Sequence, residues 1–318
     1  MIYIEQLKEG DNISQIYLCK EKNTRMTKGG KPYDDVVLQD KSGILAAKIW
    51  EVSSGGIEDF SKTDYVEVTG EITKFKDALQ LNIRRARKVS EGEYDPADYL
   101  PVSDYDVDEM YEELLSFIET IKNDYLRKLL EKIFKESSKH FKDSFKAHSA
   151  AKSVHHGFVG GLLEHTLSVT RVCDFIAKNY PYINRDLLIS ASILHDIGKI
   201  DELSLFPEND YTDDGQLLGH IYIGARWIET YARSIEGFPD ALRSQLVHCI
   251  LAHHGELEFG SPKKPAIIEA LALSFADNLD AKMETFKESL KNAGEAKSGG
   301  WLGFDRYIGS NIKKTDNW

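Results

Sequence analysis

The chain has 318 residues, 42% of them hydrophobic and 29% charged, with a formal net charge of −12. That length favours two domains and gives ample material for buried cores. No apolar run is long enough to span a bilayer, the N-terminus lacks an apolar secretory core, and the three scattered cysteines form no CxxC; together these argue against a membrane span, a disulfide framework and a zinc knuckle, and for a cytoplasmic protein.

The charge is uneven. Residues 1–90 hold 15 Lys and Arg against 14 Asp and Glu, and the remainder holds 25 against 38. A near-neutral first part with basic clusters is compatible with a polyanion, an acidic second part with divalent cations. The first predicted strand runs over about 11–26. "YDDVVLQD" and "GILAAKIW" then flank the short turn "DKSG". "DYVEVTGEITKF" alternates at Val66 and Val68 before Gly70, and "ALQLNIRRARKV" puts Leu79, Leu81 and Ile83 on one face. Five strands in about ninety residues suit a small closed barrel, most commonly an OB-fold, with an SH3-like barrel as the alternative.

Residues 91–113 carry ten acidic residues and no Lys or Arg, with Pro96 and Pro101, and read as a linker. Beyond it the pattern is helical: "VDEMYEELLSFIETI", "DYLRKLLEKIFKES" and five later segments repeat apolar residues every three or four positions. The expected organisation is a multidomain α and β chain. Residues 1–90 form a five-stranded OB barrel, 91–148 an acidic linker with connecting helices, 149–292 an all-α bundle, and 293–318 a Gly-rich, irregular tail. The apolar stripes of the linker helices, with Trp301 and Phe304 of the tail, suggest a homo-oligomer.

All ten histidines lie at or after His140. His165, His195-Asp196, His220 and His253-His254 sit in or beside strongly apolar helices, and Asp277 follows on the last helix. One such histidine is more often a satisfied core residue than a ligand. Several of them, together with buried-looking aspartates, are costly unless they converge on positive charge.

The order "GLLEHT", "LHDIGK", "LLGHIYIGA", "LAHHGE" and "LSFADNLDA" over about residues 150–285 resembles the HD-domain metal-dependent phosphohydrolases, whose signature is H…HD…H…H…D. The resemblance implies two divalent ions, Mn first and Co or Fe next. His165, His195 and Asp277 would take one ion, His220 with His253 or His254 the other, and Asp196 would bridge them. Such a pair holds a hydroxide and clamps a phosphate. Lys199 stands where two-metal relatives carry a lysine that contacts the phosphate or protonates the leaving oxygen; the alternative is a solvated lysine past a helix end. His155 and His156 are candidates for phosphate binding, or plain loop histidines. Gly161 stands where trinuclear relatives carry a glutamate, so a third metal is not expected.

On the barrel, Tyr33, Lys48 and Trp50 point outward if Val36, Leu38, Leu45, Ala47 and Ile49 point inward. They would offer a stacking surface and a charge to a single strand, unless Trp50 is core and the charges merely solubilise. The loop "KEKNTRMTKGGKPY" adds Lys20, Lys22, Arg25, Lys28 and Lys31; the last strand adds Arg84, Arg85, Arg87 and Lys88. A barrel of this kind ahead of an HD domain resembles the YhaM family of 3′→5′ exoribonucleases, carried by "VVLQDKSGILAAKIW", "GEITKFKDALQLNI", "HHGFVGGLLEHTLSV" and "LHDIGK". It implies hydrolysis of single-stranded RNA to nucleoside 5′-monophosphates, with single-stranded DNA as a further substrate. The alternative is a small-molecule phosphodiesterase or nucleotide phosphohydrolase whose barrel is regulatory; no GYP motif follows His254.

Overall fold

The computed structural model describes residues 2–76, 78–152, 156–292, 300–306 and 308–315. The chain divides into two compact units, Met1–Pro101 and Val102–Trp318.

The first unit is built from β1 (Asn12–Met26), β2 (Pro32–Asp40), β3 (Gly43–Ile49), β4 (Tyr65–Phe75) and β5 (Ala78–Lys88). They close into a barrel in the order β1-β2-β3-β5-β4, with β1 paired back to β4. Only β3 and β5 pair in parallel; the other neighbours are antiparallel. This closed Greek-key order is that of an OB-fold. Strand alternation makes the core: Val36, Leu38, Leu45, Ala47, Ile49 and Leu81 are all buried. Asp40 sets the β2–β3 register, its Oδ1 accepting from the Ser42 amide at 2.8 Å and the Ser42 hydroxyl at 2.6 Å, an Asx-type turn.

The barrel unit extends past the expected boundary at residue 90. Tyr94 stacks on Tyr65 with ring centroids 3.7 Å apart, and Tyr99 meets Tyr65 edge-on at 5.2 Å. These aromatics anchor the start of the acidic segment to the barrel, so charge density alone misplaced the joint.

The second unit holds α1 (Val107–Glu119), α2 (Asp124–Phe134), α3 (Lys139–Ala147), α4 (Gly161–Asn179), α5 (Arg185–Leu194), α6 (Lys199–Glu202), α7 (Asp213–Arg233), α8 (Asp240–Leu251) and α9 (Ile268–Asn292). Leu114, Ile118, Leu126 and Ile133 from α1 and α2 share one core with Leu163, Leu188, Ile193 and Ile250. The linker helices therefore bury their stripes inside their own unit, and those stripes do not form an assembly surface as expected. The described residues of the tail include two short strands. β6 (Trp301–Asp305) and β7 (Ser310–Lys313) pair antiparallel; Ile312 is buried while Trp301 and Phe304 are exposed. Among the described residues no helix is long and apolar enough to cross a membrane.

Candidate metal centre and nucleic-acid face

Five elements aim polar side chains at one point inside the helical unit. His165 lies in the second turn of α4, and His195 caps the end of α5 with Asp196 in the turn that follows. His220 comes directly after Gly219, whose φ of 71° and ψ of 154° break α7. His253 and His254 follow α8, and Asp277 lies on α9. The turn carrying Asp196 is pressed against α7 at Gly198. A Cβ there would lie 2.1 Å from the His220 carbonyl oxygen, so only glycine permits this approach.

The Asp196 carboxylate is the hub. Its Oδ2 lies 3.4 Å from both His165 Nε2 and His195 Nε2. Its Oδ1 lies 3.5 Å from His220 Nε2 and 3.6 Å from His253 Nε2. Asp277 Oδ1 joins the first pair, 3.2 Å from His165 Nε2. The histidines and Asp277 thus form two groups, His165, His195 and Asp277 on one side of Asp196 and His220, His253 and His254 on the other; within each, the candidate ligand atoms lie within 4.8 Å of one another. The pair His253-His254, left open by the sequence, contributes both rings to the second group.

The outer nitrogens decide what the inner ones can be. The Nδ1 atoms of His195, His253 and His254 lie 2.7, 2.7 and 2.8 Å from the carbonyl oxygens of Ser192, Ile250 and Phe259. A carbonyl only accepts, so each Nδ1 donates and each neutral ring turns a lone pair inward at Nε2. His165 Nδ1 donates to Asp280 Oδ2 at 2.7 Å and His220 Nδ1 to Glu202 Oε1 at 2.9 Å. Burial alone would lower the pKa of His165, but without an ion the carboxylates of Asp196, Asp277 and Asp280 hold it well above its ordinary value, and the ring's Nε2 is hydrogen-bonded to His195 Nε2 at 3.1 Å. Asp196 Oδ1, His220 Nε2 and His253 Nε2 are buried with no hydrogen-bond partner. Lys199 Nζ donates to Asp196 Oδ2, but these three buried acceptors have no donor, which is unfavourable by itself and fits a divalent cation. Burial also lowers the pKa of His253 and of His254, which favours the neutral ring that ligates.

Two of these supports escaped the sequence reading. Asp280 lies three residues after Asp277 on the same face of α9 and also accepts from His156 Nε2 at 3.0 Å and from the Ser168 hydroxyl. Burial alone would raise its pKa, but the hydrogen bonds from His156, His165 and Ser168 hold it far below the ordinary carboxylate range. Glu202 accepts from both the backbone amide and the ring of His220. An Asp–x–x–Asp spacing was a usable signal for Asp280; Glu202 had none. His156 is buried against Asp280, and its Nδ1 has no partner. His155 lies outside the described residues. Lys199 opens α6, largely buried, with Nζ 2.6 Å from Asp196 Oδ2. Burial opposes its charge, but the Asp196 carboxylate keeps its pKa raised.

On the barrel, Trp50 is 51% exposed and stacks with Tyr33 at a centroid distance of 5.1 Å. Lys48 sits over the Tyr33 ring at 5.3 Å and pairs with Asp35 at 2.5 Å. A pocket of about 340 Å³ beside Trp50 is lined by Ile57, Asn82 and Arg84. Several of the expected cations are already paired. Arg25 meets Asp35 at 3.2 Å, Arg84 meets Glu71 at 2.5 Å, Lys88 meets Asp64 at 2.7 Å, and Arg87 binds Glu67 and Glu93. Lys22 lies over Phe60 and near Asp34. Among the described residues Lys20, Lys28, Lys31 and Arg85 are exposed and make no ion pair.

The HD domain model matches residues 162–282, a range that encloses every member of the centre from His165 to Asp280. The 3′–5′ exoribonuclease YhaM of Bacillus subtilis (strain 168) is 34% identical over 283 residues, 89% of this chain and 88% of that protein. The chain belongs to the YhaM family. The YhaM of Geobacillus sp. (strain WCH70) matches at 34% identity over 89% of this chain and 86% of that protein. Matches of this length to YhaM proteins are too long to leave out either compact unit, so the family relationship includes the barrel as well as the helical centre. Among solved structures, the second OB-fold domain of replication protein A from Methanococcus maripaludis is similar at 16% identity, covering 29% of this chain and 96% of that one with a TM-score of 0.23.

Proposed function

We propose that this chain is a divalent-metal-dependent 3′→5′ exoribonuclease of the cytoplasm. It shortens single-stranded RNA from the 3′ end, releases nucleoside 5′-monophosphates and also accepts single-stranded DNA. The observation that carries the reading is the buried cluster of histidines and aspartates around Asp196, with Asp196 Oδ1, His220 Nε2 and His253 Nε2 lacking partners, built by a chain whose family relatives bear the name exoribonuclease. His165, His195 and Asp277 would hold one ion and His220, His253 and His254 the second, with Asp196 between the two groups as a shared ligand. Bound ions, Mn first among the candidates, polarise the phosphate and activate water.

The remaining work falls to the protein. Hydrogen bonds at Nδ1 keep all five rings pointing inward. Lys199 stands beside the hub as a cation for charge developing on the transferring phosphoryl group or the leaving oxygen. On the barrel, Trp50 and Tyr33 hold bases by stacking, with little preference among them, while Lys28 and Lys31 meet phosphates.

The test is a 5′-labelled single-stranded RNA incubated with the protein and Mn²⁺. A ladder receding from the 3′ end is expected, and Asp196→Ala abolishes it. Hydrolysis of small nucleotides while the RNA stays intact would rule out the exonuclease reading, and full activity in Asp196→Ala would rule out the site.

A further inference from the structure

Trp50, directly after β3, is half exposed, yet its ring is held at two places. It stacks on Tyr33, with centroids 5.1 Å apart. Its Nε1 donates to Asn82 Oδ1 at 3.1 Å. The direction of the Asn82 amide follows from counting protons. The Thr73 hydroxyl gives its one proton to the Gln80 carbonyl at 3.2 Å, so toward Asn82 it can only accept, and Asn82 Nδ2 donates to it at 3.1 Å. Asn82 Oδ1 is thereby turned to the indole, whose N–H can only donate. The chain of bonds crosses three strands. Thr73 comes from β4, Gln80 and Asn82 from β5, and Trp50 from the end of β3, whose Lys48 is paired with Asn82 in the parallel β3–β5 ladder.

We propose that Asn82 is a positioning residue for the substrate strand: it locks the Trp50 indole in the orientation on which a base stacks. The proposal rests on the reading of this barrel face as the strand-binding surface. An exposed indole N–H bonds to water nearly as well as to a side chain, so the tie adds little to folding. What it fixes is the ring. A tryptophan free to turn loses rotamer freedom when a base settles on it; one held beforehand does not, and binding is tighter by that difference. The ring is held beside the cavity of about 340 Å³, where Ile57 and Ile83 join Asn82 and Trp50 in the lining. Apolar side chains next to a broad aromatic ring suit a nucleobase. Every base has a π-face, so the lock serves affinity and leaves the choice of base open.

Asn82→Leu keeps the side chain close to its size and removes both hydrogen bonds. In the full chain, titration with single-stranded RNA, metal withheld so that the strand survives, is expected to give a Kd roughly 2–10-fold higher, the cost of ordering one such side chain on binding. With Mn²⁺ added, kcat on saturating RNA stays unchanged. Trp50→Phe keeps an aromatic face without the N–H and raises Kd at least as much. The two substitutions remove the same bond, so the double variant binds no worse than the weaker single one. In Trp50→Ala there is no ring to hold, and adding Asn82→Leu changes nothing further. If Asn82 served only the fold of the barrel, it would weaken binding again in that background. An Asn82→Leu protein with wild-type Kd, or a second loss of affinity on top of Trp50→Ala, overturns the proposal. The two readings fail separately. A Trp50→Ala protein with wild-type Kd removes this face as the strand-binding surface and the lock with it. Weakened binding in Trp50→Ala beside unchanged binding in Asn82→Leu removes the lock alone.

Discussion

Each histidine of the centre is steered by the nitrogen that faces away from it. Asp280 steers two rings at once, His165 and His156, and it lies outside the two groups around Asp196. Asp280→Ala is expected to lower metal affinity about 10–100-fold, the usual cost of losing such a support. The readout is the Mn²⁺ concentration for half-maximal activity, and Asp280→Asn, which still accepts from His165, recovers most of it. Lys199→Ala should behave differently. Losing a cation aimed at transition-state charge costs about 10²–10³ in kcat. The Mn²⁺ requirement does not rise, because removing a positive neighbour from Asp196 strengthens its pull on a cation. A Lys199→Ala protein with unchanged kcat would make the lysine a mere partner of Asp196. At this scale the ordered histidines and aspartates were legible, because polar residues in apolar helices stand out. Glu202 was not, because its tie to His220 depends on the close approach at Gly198, which no local pattern encodes.

Among the elements, the barrel strands could be read most directly. Period-two alternation placed Val36, Leu38, Leu45, Ala47 and Ile49 inward and left Tyr33, Lys48 and Trp50 facing out, as the structure has them. Their cross-strand partners were hidden. Arg84 meets Glu71, and Arg87 meets Glu67, only because β5 lies against β4 in one register, and a list of basic residues does not reveal how many are already neutralised. The stacking pair should therefore matter more than most of the arginines. Trp50→Ala is expected to weaken single-strand binding by about 1–3 kcal/mol. RNA titration would show this as a rise in Kd, with kcat on saturating RNA unchanged. A Trp50→Ala protein with wild-type Kd would move the binding surface off this face.

For the molecule as a whole, the change from strand to helix periodicity announced two units, but composition put the joint too early and read the tail as irregular. Tyr94 and Tyr99 act through contacts that an acidity count ignores, and the β6–β7 pairing depends on partners more than on propensity. Helical spacing alone does not say what an apolar stripe packs against: those of α1 and α2 are buried in the core of their own unit, while α9 leaves Phe275, Leu279 and Met283 exposed. The centre links metal to stability: its opposed acceptors disfavour the fold without ions, and ions bind the folded chain. Mn²⁺ should raise the melting temperature, with a gain of about 2.7 kcal/mol at a hundredfold excess over Kd. In Asp196→Ala that gain should largely disappear; an equal rise in the variant would place the bound metal elsewhere.

The division of labour among the five ring supports has an evolutionary consequence. His195, His253 and His254 hang on main-chain carbonyls, which no point substitution can remove. His165 and His220 hang on Asp280 and Glu202, which a single codon change can alter. Drift can therefore adjust ring basicity on either side of Asp196 through one acidic position each, while the rest of the centre is inherited with the backbone.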